Sequence, residues 1–559
     1  MLSGRESYLP FIALLLIYII GMFIDVMDVD ASQYASISRE MLESGEYLKL
    51  YNRYEDYLDK PPLLFWTAAM SYKLFGISNF SYKLPSVLFT LLGLWSTFRL
   101  GELLYNRRAG YYAALVLGSC QAWFLINHDV RTDTILAGST IFAIWQLMAY
   151  TQTNRLGYLI GAAFGIAGAM LTKGPIGLMV PALALGTHFL IRQEWRQVFK
   201  WQWLCMLAIV ALLISPFLYG LYLQYDLEPG KVINSMVISS GIKFYLWTQS
   251  FGRLTGENSW KDDSSVLFFT HTFLWSFLPW SILFLIGFWE QVKAALKKPK
   301  LQEWITLGGF VLPFIAFSLS KFKLPHYIYV VFPLAAVSTG AYVDRLLDRA
   351  EPNDRMSTVF RWVQGLIVFV LLLLVLLLVL YCFPGMAWWI WIGFTGLALS
   401  ALWLLFRGTK VRNHTIWPSF LMILAANLAL NGHVYPQLLQ YQSYKKAALD
   451  LRAKGIAPED IVTFKEGMHS LDFYSRSIIA NIQDLDQLEE RLSTGALWVY
   501  TNEAGKEEME TSGRFKIQVN KNYQHYHVTQ LTLPFLNPAT RAKTLKTRYV
   551  LLLKKLKQE

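Results

Sequence analysis

The sequence predicts a polytopic α-helical membrane protein of about thirteen transmembrane helices, followed by a soluble C-terminal α/β domain. Three observations carry this. The 559 residues are 54% hydrophobic and only 16% charged, too apolar for an ordinary soluble enzyme. Apolar stretches of bilayer-spanning length recur along the chain. After about Gly432 the pattern changes to short alternating strands and amphipathic helices.

The spans fall at roughly 8–27, 83–104, 110–127, 133–151, 156–172, 174–191, 203–224, 265–289, 304–320, 325–343, 361–382, 387–406 and 415–433. The first, Tyr8 to Met27, is long for a signal-peptide core and lacks a small-residue cleavage pattern, so it reads as a span. Domain limits follow at 1–433 for the membrane part, with amphipathic loop helices over 28–80, and 434–559 for the α/β domain. In the latter, AALDLRAKG and DLDQLEERL read as helices, and DIVTFK, SIIANI, ALWVYT, FKIQVN and YVLLLKK as strands. The three cysteines, Cys120, Cys205 and Cys382, lie in or beside apolar segments and suggest no disulfide framework.

Charge fixes an orientation. With the N-terminus cytoplasmic, Arg107 and Arg108, Arg155, Arg192 to Lys200, Lys293 to Lys300, Arg345 to Arg361, and Arg407 to Arg412 all fall in loops on that side, as the positive-inside rule requires. The net charge of +12 therefore reads as membrane topology, and no nucleic-acid partner is expected. An odd span count puts the C-terminal domain outside the cytoplasm, in the periplasm of a Gram-negative cell. The opposite loops mix acids with bases: Asp25, Asp28, Asp30, Asp59, Lys60, Asp129, Arg131, Asp133, Lys173, Arg253, Lys321, Lys323 and His326. Charges at helix ends near a bilayer are costly, about 2.5–3.5 kcal/mol each at a helix centre. Their concentration on one face marks a polar cavity there, in a cytoplasmic (inner) membrane protein whose active site faces outward.

Asp30 ends the first span and opens an amphipathic helix with Tyr34, Ile37, Met41 and Leu42 on its apolar side. A carboxylate there accepts a hydroxyl proton or holds a sugar or metal, with Asp25 and Asp28 as rivals that spacing does not separate. In YEDYLDKPPLLFW, Lys60 is held extended by Pro61, and Pro61-Pro62 preset the first turn of the following helix. A lysine at a helix N-terminus makes an anion site suited to a lipid phosphate, while a snorkelling lysine beside a capping aspartate is the plainer alternative. His525 and His527 alternate on a strand, a pattern open to metal ligation but more simply one of hydrogen-bonded or solvated side chains.

Read together, these motifs resemble an integral-membrane glycosyltransferase of the GT-C class, close to the bacterial aminoarabinose transferases that modify lipid A and related to protein O-mannosyltransferases. The matching elements are Asp30 with Tyr34 leading into SREM, Asp59-Lys60-Pro61-Pro62 with Tyr57 two before it, Asp133 starting the fourth span, TKGP from Thr172, Gly252-Arg253, LPW from Leu278, and SKxKLPxY from Ser320 to Tyr327. They run in order through about the first 340 residues.

The resemblance implies a GT-C fold and a sugar donor carried on a polyprenyl (undecaprenyl) phosphate, with membrane lipids around it and a lipid, glycan or protein acceptor. It implies catalytic roles for Asp30 and Asp133, a donor-phosphate grip by Lys60 and Arg253, and a cavity lined by Gln33, Tyr34, Tyr57, Asp59, Arg131, Lys323, His326 and Tyr327. Departures accompany it: Asp59 replaces a longer Glu, Gln33 stands where Arg is expected, and WTQSFGR has no histidine before its Gly-Arg. In the family that Glu and histidine can hold a metal ion. Here Asp59 alone is left for a divalent metal, and no cofactor is expected to be required. A lipid or sugar transporter without transferase activity is the alternative class, and it predicts repeat symmetry and mid-bilayer helix breaks.

Overall fold

In a computed structural model of the chain, residues 8–233, 235–252, 264–349, 355–407, 415–467, 469–492 and 495–555 are described. Each of the thirteen apolar stretches carries helix. Among the described residues, seven helices are long and apolar enough to cross a bilayer: Asn79–Leu104, Thr132–Thr153, Leu156–Lys173, Trp195–Asp226, Pro325–Arg349, Thr358–Cys382 and Trp388–Arg407. Two bent pairs raise the number to as many as nine, and Leu9–Met22, Ile176–Arg192 and Ile305–Ser318 are shorter apolar helices. The chain is thus a multi-pass membrane protein.

The helices that build the site are α1 (Leu9–Met22), α2 (Asp30–Ser44), α3 (Leu63–Phe75), α4 (Asn79–Leu104), α5 (Arg107–Ser119), α6 (Gln121–His128), α7 (Thr132–Thr153), α8 (Leu156–Lys173) and α9 (Ile176–Arg192). Two stretches expected as single spans are broken. The 110–127 stretch bends by 52° between α5 and α6, where Cys120 is extended (φ −76°, ψ 147°) and ends the helical ladder. The 265–289 stretch is two helices, Phe268–Ser276 and Ser281–Lys297, at 116°. Pro279 in the break has no N–H to continue a helix. The two breaks are joined: Gln121 N–H donates to the Leu278 carbonyl at 3.0 Å, and the buried Trp280 indole donates to Ser119 Oγ at 2.9 Å. Close approach sets the α4–α7 contact as well, because a Cβ on Gly138 would sit 2.4 Å from the Phe89 carbonyl oxygen.

Charged residues sort into two internally paired sets. Arg108 bonds Asp344 and Asp348, Lys200 bonds Asn154 at 2.7 Å, and Arg192 reaches the Gln302 carbonyl at 3.3 Å; all of these loops share one end of the bundle. Asp30, Arg131, Asp133, Lys173 and His326 pair among themselves on loops that alternate with those. This is the division that alternating spans produce.

The C-terminal part contains a five-stranded sheet in the order β6-β5-β7-β9-β8, with β5 (Ile461–Phe464), β6 (Ala480–Ile482), β7 (Leu497–Asn502), β8 (Phe515–His525) and β9 (Lys546–Lys555). The small hairpins Tyr51–Asn52/Glu55–Asp56 and Lys231–Ile233/Met236–Ile238 account for β1 to β4. β5 runs parallel to β6 and β7, and β9 is antiparallel to β7 and β8. All five strands coincide with the runs read as strands. The helices His469–Ser475 and Glu503–Thr511 escaped that reading, since SLDFYS is short and EAGKEEMET has almost no apolar stripe.

The helix starting at Asp30 differs from expectation. It does not lie with a wet polar face: Ser32, Ser36, Ser38, Arg39 and Glu40 are buried along with its apolar residues. α2 is covered by α3 and by the helix His469–Ser475. Ser36 Oγ donates to the His469 carbonyl at 3.0 Å, Arg53 is ion-paired with Asp472, and Glu40 accepts from the N–H groups of Arg53 and Tyr54 at 2.9 and 2.7 Å. The C-terminal part of the chain therefore clamps the loop that carries Asp30.

Candidate active site

The three rival aspartates of the first loop have different surroundings. Asp25 accepts from Lys445 Nζ at 2.5 Å and Asn79 Nδ2 at 3.1 Å, tying α4 to the C-terminal domain. Asp28 is buried, accepts from the Ser32 hydroxyl at 2.9 Å and from Ser470, and burial raises its carboxyl above the ordinary range. Asp30, in the first turn of α2, is the most open, with its side chain 39% exposed, and it pairs with Arg131. Arg131 Nε also donates to Asp129 at 3.0 Å. Asp30 alone of the three therefore joins the polar cluster at the start of α7.

In the first turn of α7, the carboxylate of Asp133 is almost fully buried, 2.6 Å from Lys173 Nζ and 3.7 Å from His326 Nε2. Lys173 Nζ also lies 4.1 Å from the centroid of the Tyr327 ring, a cation–π contact, and the His326 and Tyr327 rings meet edge to face. Asp133 faces two basic side chains rather than open space. Lys60 Nζ lies 2.6 Å from Asp59 Oδ2, and the Gln249 side-chain amide donates to the Asp59 carbonyl.

Lys60 and Lys173 come together at a cavity of about 110 Å³. Its walls are apolar, with Leu136, Met179, Leu183, Pro313 and Phe317 among them, and Gln249, Ser250, Ser320 and Tyr327 complete the lining. A mostly apolar cavity whose lining includes two lysines suits an amphiphile with an anionic head.

Tyr34 and Tyr57 are buried and both pack against Phe65 at 5.8 and 5.9 Å between ring centroids. Burial pushes both phenols well above their usual range, helped at Tyr34 by Tyr57 and then Asp30, and at Tyr57 by Asp59 and then Asp30, so each remains a hydrogen-bond donor. The Tyr57 hydroxyl has no partner among the described residues. Both rings pack on Phe65 of α3, the helix that Lys60 precedes.

Of the other expected residues, Gln33 is half-buried on α2, and Lys323 is buried with Nζ 3.0 Å from the Ser264 carbonyl, away from the cavity lining. Arg253 lies outside the described residues. Lys173 and Gln249 were not singled out as site residues, although TKGP held the signal for the first: a lysine ending a span directly before Gly-Pro. Gln249 has no recognisable motif.

Asp59 is engaged by an ammonium group, and among the described residues no three His, Cys, Asp or Glu side chains converge, whereas a tight site needs three or four ligands. His525 and His527 do not face a common site: buried His525 bonds the Ser443 hydroxyl through Nδ1 at 3.0 Å, and exposed His527 bonds Thr529. Burial, with Arg548 nearby, pushes His525 down to about 4.

The fold is that of the GT-C glycosyltransferases. ArnT from Cupriavidus metallidurans bound to undecaprenyl phosphate superimposes with a TM-score of 0.73 at 18% identity, covering 99% of this chain and 98% of that one. The Archaeoglobus fulgidus oligosaccharyltransferase in its apo form follows at 0.53 and 12% identity, covering 89% and 70%. In sequence, the family described as dolichyl-phosphate-mannose-protein mannosyltransferase matches residues 59–219. The undecaprenyl phosphate-alpha-4-amino-4-deoxy-L-arabinose arabinosyl transferase 2 of Proteus mirabilis is 26% identical over 355 residues, 62% of this chain and 61% of that protein. The chain thus matches about three-fifths of the length of this curated relative.

Proposed function

We propose that the chain transfers a sugar from a polyprenyl (undecaprenyl) phosphate donor to a cell-envelope acceptor, with inversion at the anomeric carbon. The observation that carries this is the mostly apolar cavity whose lining includes Lys60 and Lys173, beside the Asp30–Arg131 cluster. The likeness to proteins named for undecaprenyl phosphate-linked aminoarabinose supports the donor class. In this reading all thirteen helical stretches span the membrane, and the site and the C-terminal domain face the periplasm or exterior. The acceptor is a lipid, glycan or protein.

The polyprenyl chain would lie along the apolar walls with its phosphate at Lys60 and Lys173, joined by Arg253 as the resemblance implies. Fixed cations there stabilise the charge that grows on the phosphate as the sugar–phosphate bond breaks. The acceptor oxygen attacks the anomeric carbon from the opposite face. Its proton passes to Asp30, which Arg131 orients; an acceptor that is already an anion needs only positioning. Tyr57, with its hydroxyl unpartnered among the described residues, is placed to donate to the donor. We assign Asp133 the holding of Lys173 rather than proton transfer, given its burial against Lys173 and His326.

Transfer and co-purified lipid, measured on two variants, test this. Lys60→Ala is expected to lower turnover by about 100- to 1000-fold, the usual effect of removing one preorganised charge, and to weaken donor retention. Asp30→Asn is expected to lose transfer while keeping the lipid. Near wild-type turnover in Asp30→Asn would remove Asp30 from the mechanism, and unaltered lipid retention in Lys60→Ala would remove the phosphate assignment. A transporter would move lipid without forming glycosylated product.

A further inference from the structure

The segment between β8 and β9 belongs to the C-terminal domain but is fastened to the ends of membrane helices. Arg541 Nη2 donates to the Cys382 carbonyl at 2.5 Å, and its guanidinium lies 4.6 Å from the Phe383 ring centroid and 5.3 Å from that of Phe535. The Tyr381 hydroxyl donates to Asn537 at 2.8 Å. Phe383, Met386, Tyr526, Val528 and Phe535 share one apolar cluster. The segment thus sits beside the turn joining the helices Thr358–Cys382 and Trp388–Arg407, at the level where those spans end.

Its outward side is unlike a loop facing water. Leu533 is 82% exposed and Leu531 49%, and Pro534, Ala539 and Ala542 are exposed beside them, with Lys543 and Lys546. This face continues a surface already apolar: Leu373, Leu377, Leu380 and Tyr381 on one span and Trp388, Trp389 and Ile392 on the other are all more than half exposed. Tyrosine and tryptophan at span ends mark the bilayer interface. Exposed leucines flanked by lysines at that same level have the composition of an interfacial anchor, whose apolar side chains enter the acyl boundary while the ammonium groups meet lipid phosphates.

We propose that residues 531–546 form a membrane-interface anchor that docks the C-terminal domain onto the lipid leaflet on its own side. The occupant of this face is the bilayer, and the inference rests on the reading of the two neighbouring helices as spans. The domain is then fixed at two places, by its clamp on α2 and by this anchor, so the loop carrying Asp30 is held against the membrane surface rather than beneath a freely moving domain.

The test is depth measurement on the full chain in lipid nanodiscs. In a Cys205→Ser background, an environment-sensitive fluorophore is placed at Leu533→Cys, and separately at Leu531→Cys should the first fold poorly. Leu377→Cys serves as the span control and Lys516→Cys as the water control; the background protein gives the blank. Nitroxide lipids labelled near the headgroup are expected to quench position 533 or 531 with blue-shifted emission, while position 516 stays unquenched. Quenching at 377 with water-like, unquenched emission at both 531 and 533 would overturn the anchor and leave the spanning reading intact. No quenching at 377 either would overturn the spanning reading and the anchor with it.

Discussion

Asp133→Asn tests how the cavity holds its charges. The substitution keeps the size of the side chain and removes its negative charge, leaving Lys173 Nζ without the carboxylate now 2.6 Å away. Breaking a buried ion pair by removing one partner costs about 3–5 kcal/mol, because the other charge stays behind uncompensated. Lys173 retains 16% exposure at the cavity, so the lower end, about 3 kcal/mol, is expected for the lipid-free protein. A polyprenyl phosphate bound at Lys60 and Lys173 would supply the missing negative charge, so the lipid-bound protein should lose less. By the thermodynamic cycle, whatever stability the lipid restores appears as tighter binding, tenfold for each ~1.4 kcal/mol, and about tenfold is expected. Thermal unfolding with and without undecaprenyl phosphate, together with lipid titration, measures both sides of the cycle. Lys173→Met is the control, in which adding Asp133→Asn should leave binding unchanged. Equal destabilisation in both states, or weaker lipid binding by Asp133→Asn, would refute the reasoning and return Asp133 to a direct role in the chemistry.

Three other outcomes are expected. Gly138→Ala would drive its Cβ into the Phe89 carbonyl, which as backbone cannot swing aside. It should destabilise by about 1–3 kcal/mol, the usual range for overpacking, and lower turnover by shifting α7; unchanged thermal stability would contradict that contact. Transfer is expected to survive exhaustive chelation, since Asp59 stands in place of the longer Glu and no histidine directly precedes Gly252-Arg253; full loss restored by one added metal would show otherwise. Finally, the folded His525 imidazole titrates at about 4 against about 6.5 when unfolded. The unfolded chain binds the extra proton first, so stability is complete above about pH 6.5 and is lost as pH falls toward 4. His525→Asn, which keeps a nitrogen or oxygen near the Nδ1 position, should flatten this dependence in hydrogen exchange of residues 435–555, and an unaltered pH profile would exclude His525 as its source.

The helices and strands were legible because each is written in local periodicity. Apolar runs gave thirteen helical stretches, and alternation gave all five strands of the C-terminal sheet, since both signals depend only on neighbours along the chain. The breaks at Cys120 and Pro279 were hidden for the opposite reason. Hydropathy averages over a window and does not register a 116° turn whose only marker is a single proline, and the contact that stabilises it comes from Gln121, far away in sequence. α2 misled in a related way. Its serines, Arg39 and Glu40 look like a solvated face, but the helix His469–Ser475, more than 400 residues later, supplies their cover.

The same distinction explains the site. Lys60, which lines the cavity, could be singled out because the signal is local: Pro-Pro makes a helix begin just after it. The choice among Asp25, Asp28 and Asp30 could not be read that way, since all three share one short loop and differ only in what other segments bring to them: Lys445, Ser470 and Arg131. Lys173 shows why partners decide roles. As a lone basic residue at a span end it looks like a snorkelling side chain, and only the convergence of Asp133, Tyr327 and Lys60 around it makes it a candidate half of the proposed anion site. A charge at membrane depth needs a countercharge, and here the protein provides one for each lysine: Asp59 for Lys60 and Asp133 for Lys173. If the lipid phosphate binds there as proposed, it competes with two carboxylates for the same ammonium groups. That competition would weaken donor binding and ease release of the lipid phosphate left after transfer, so the paired aspartates would set how long the lipid remains as well as how it is held.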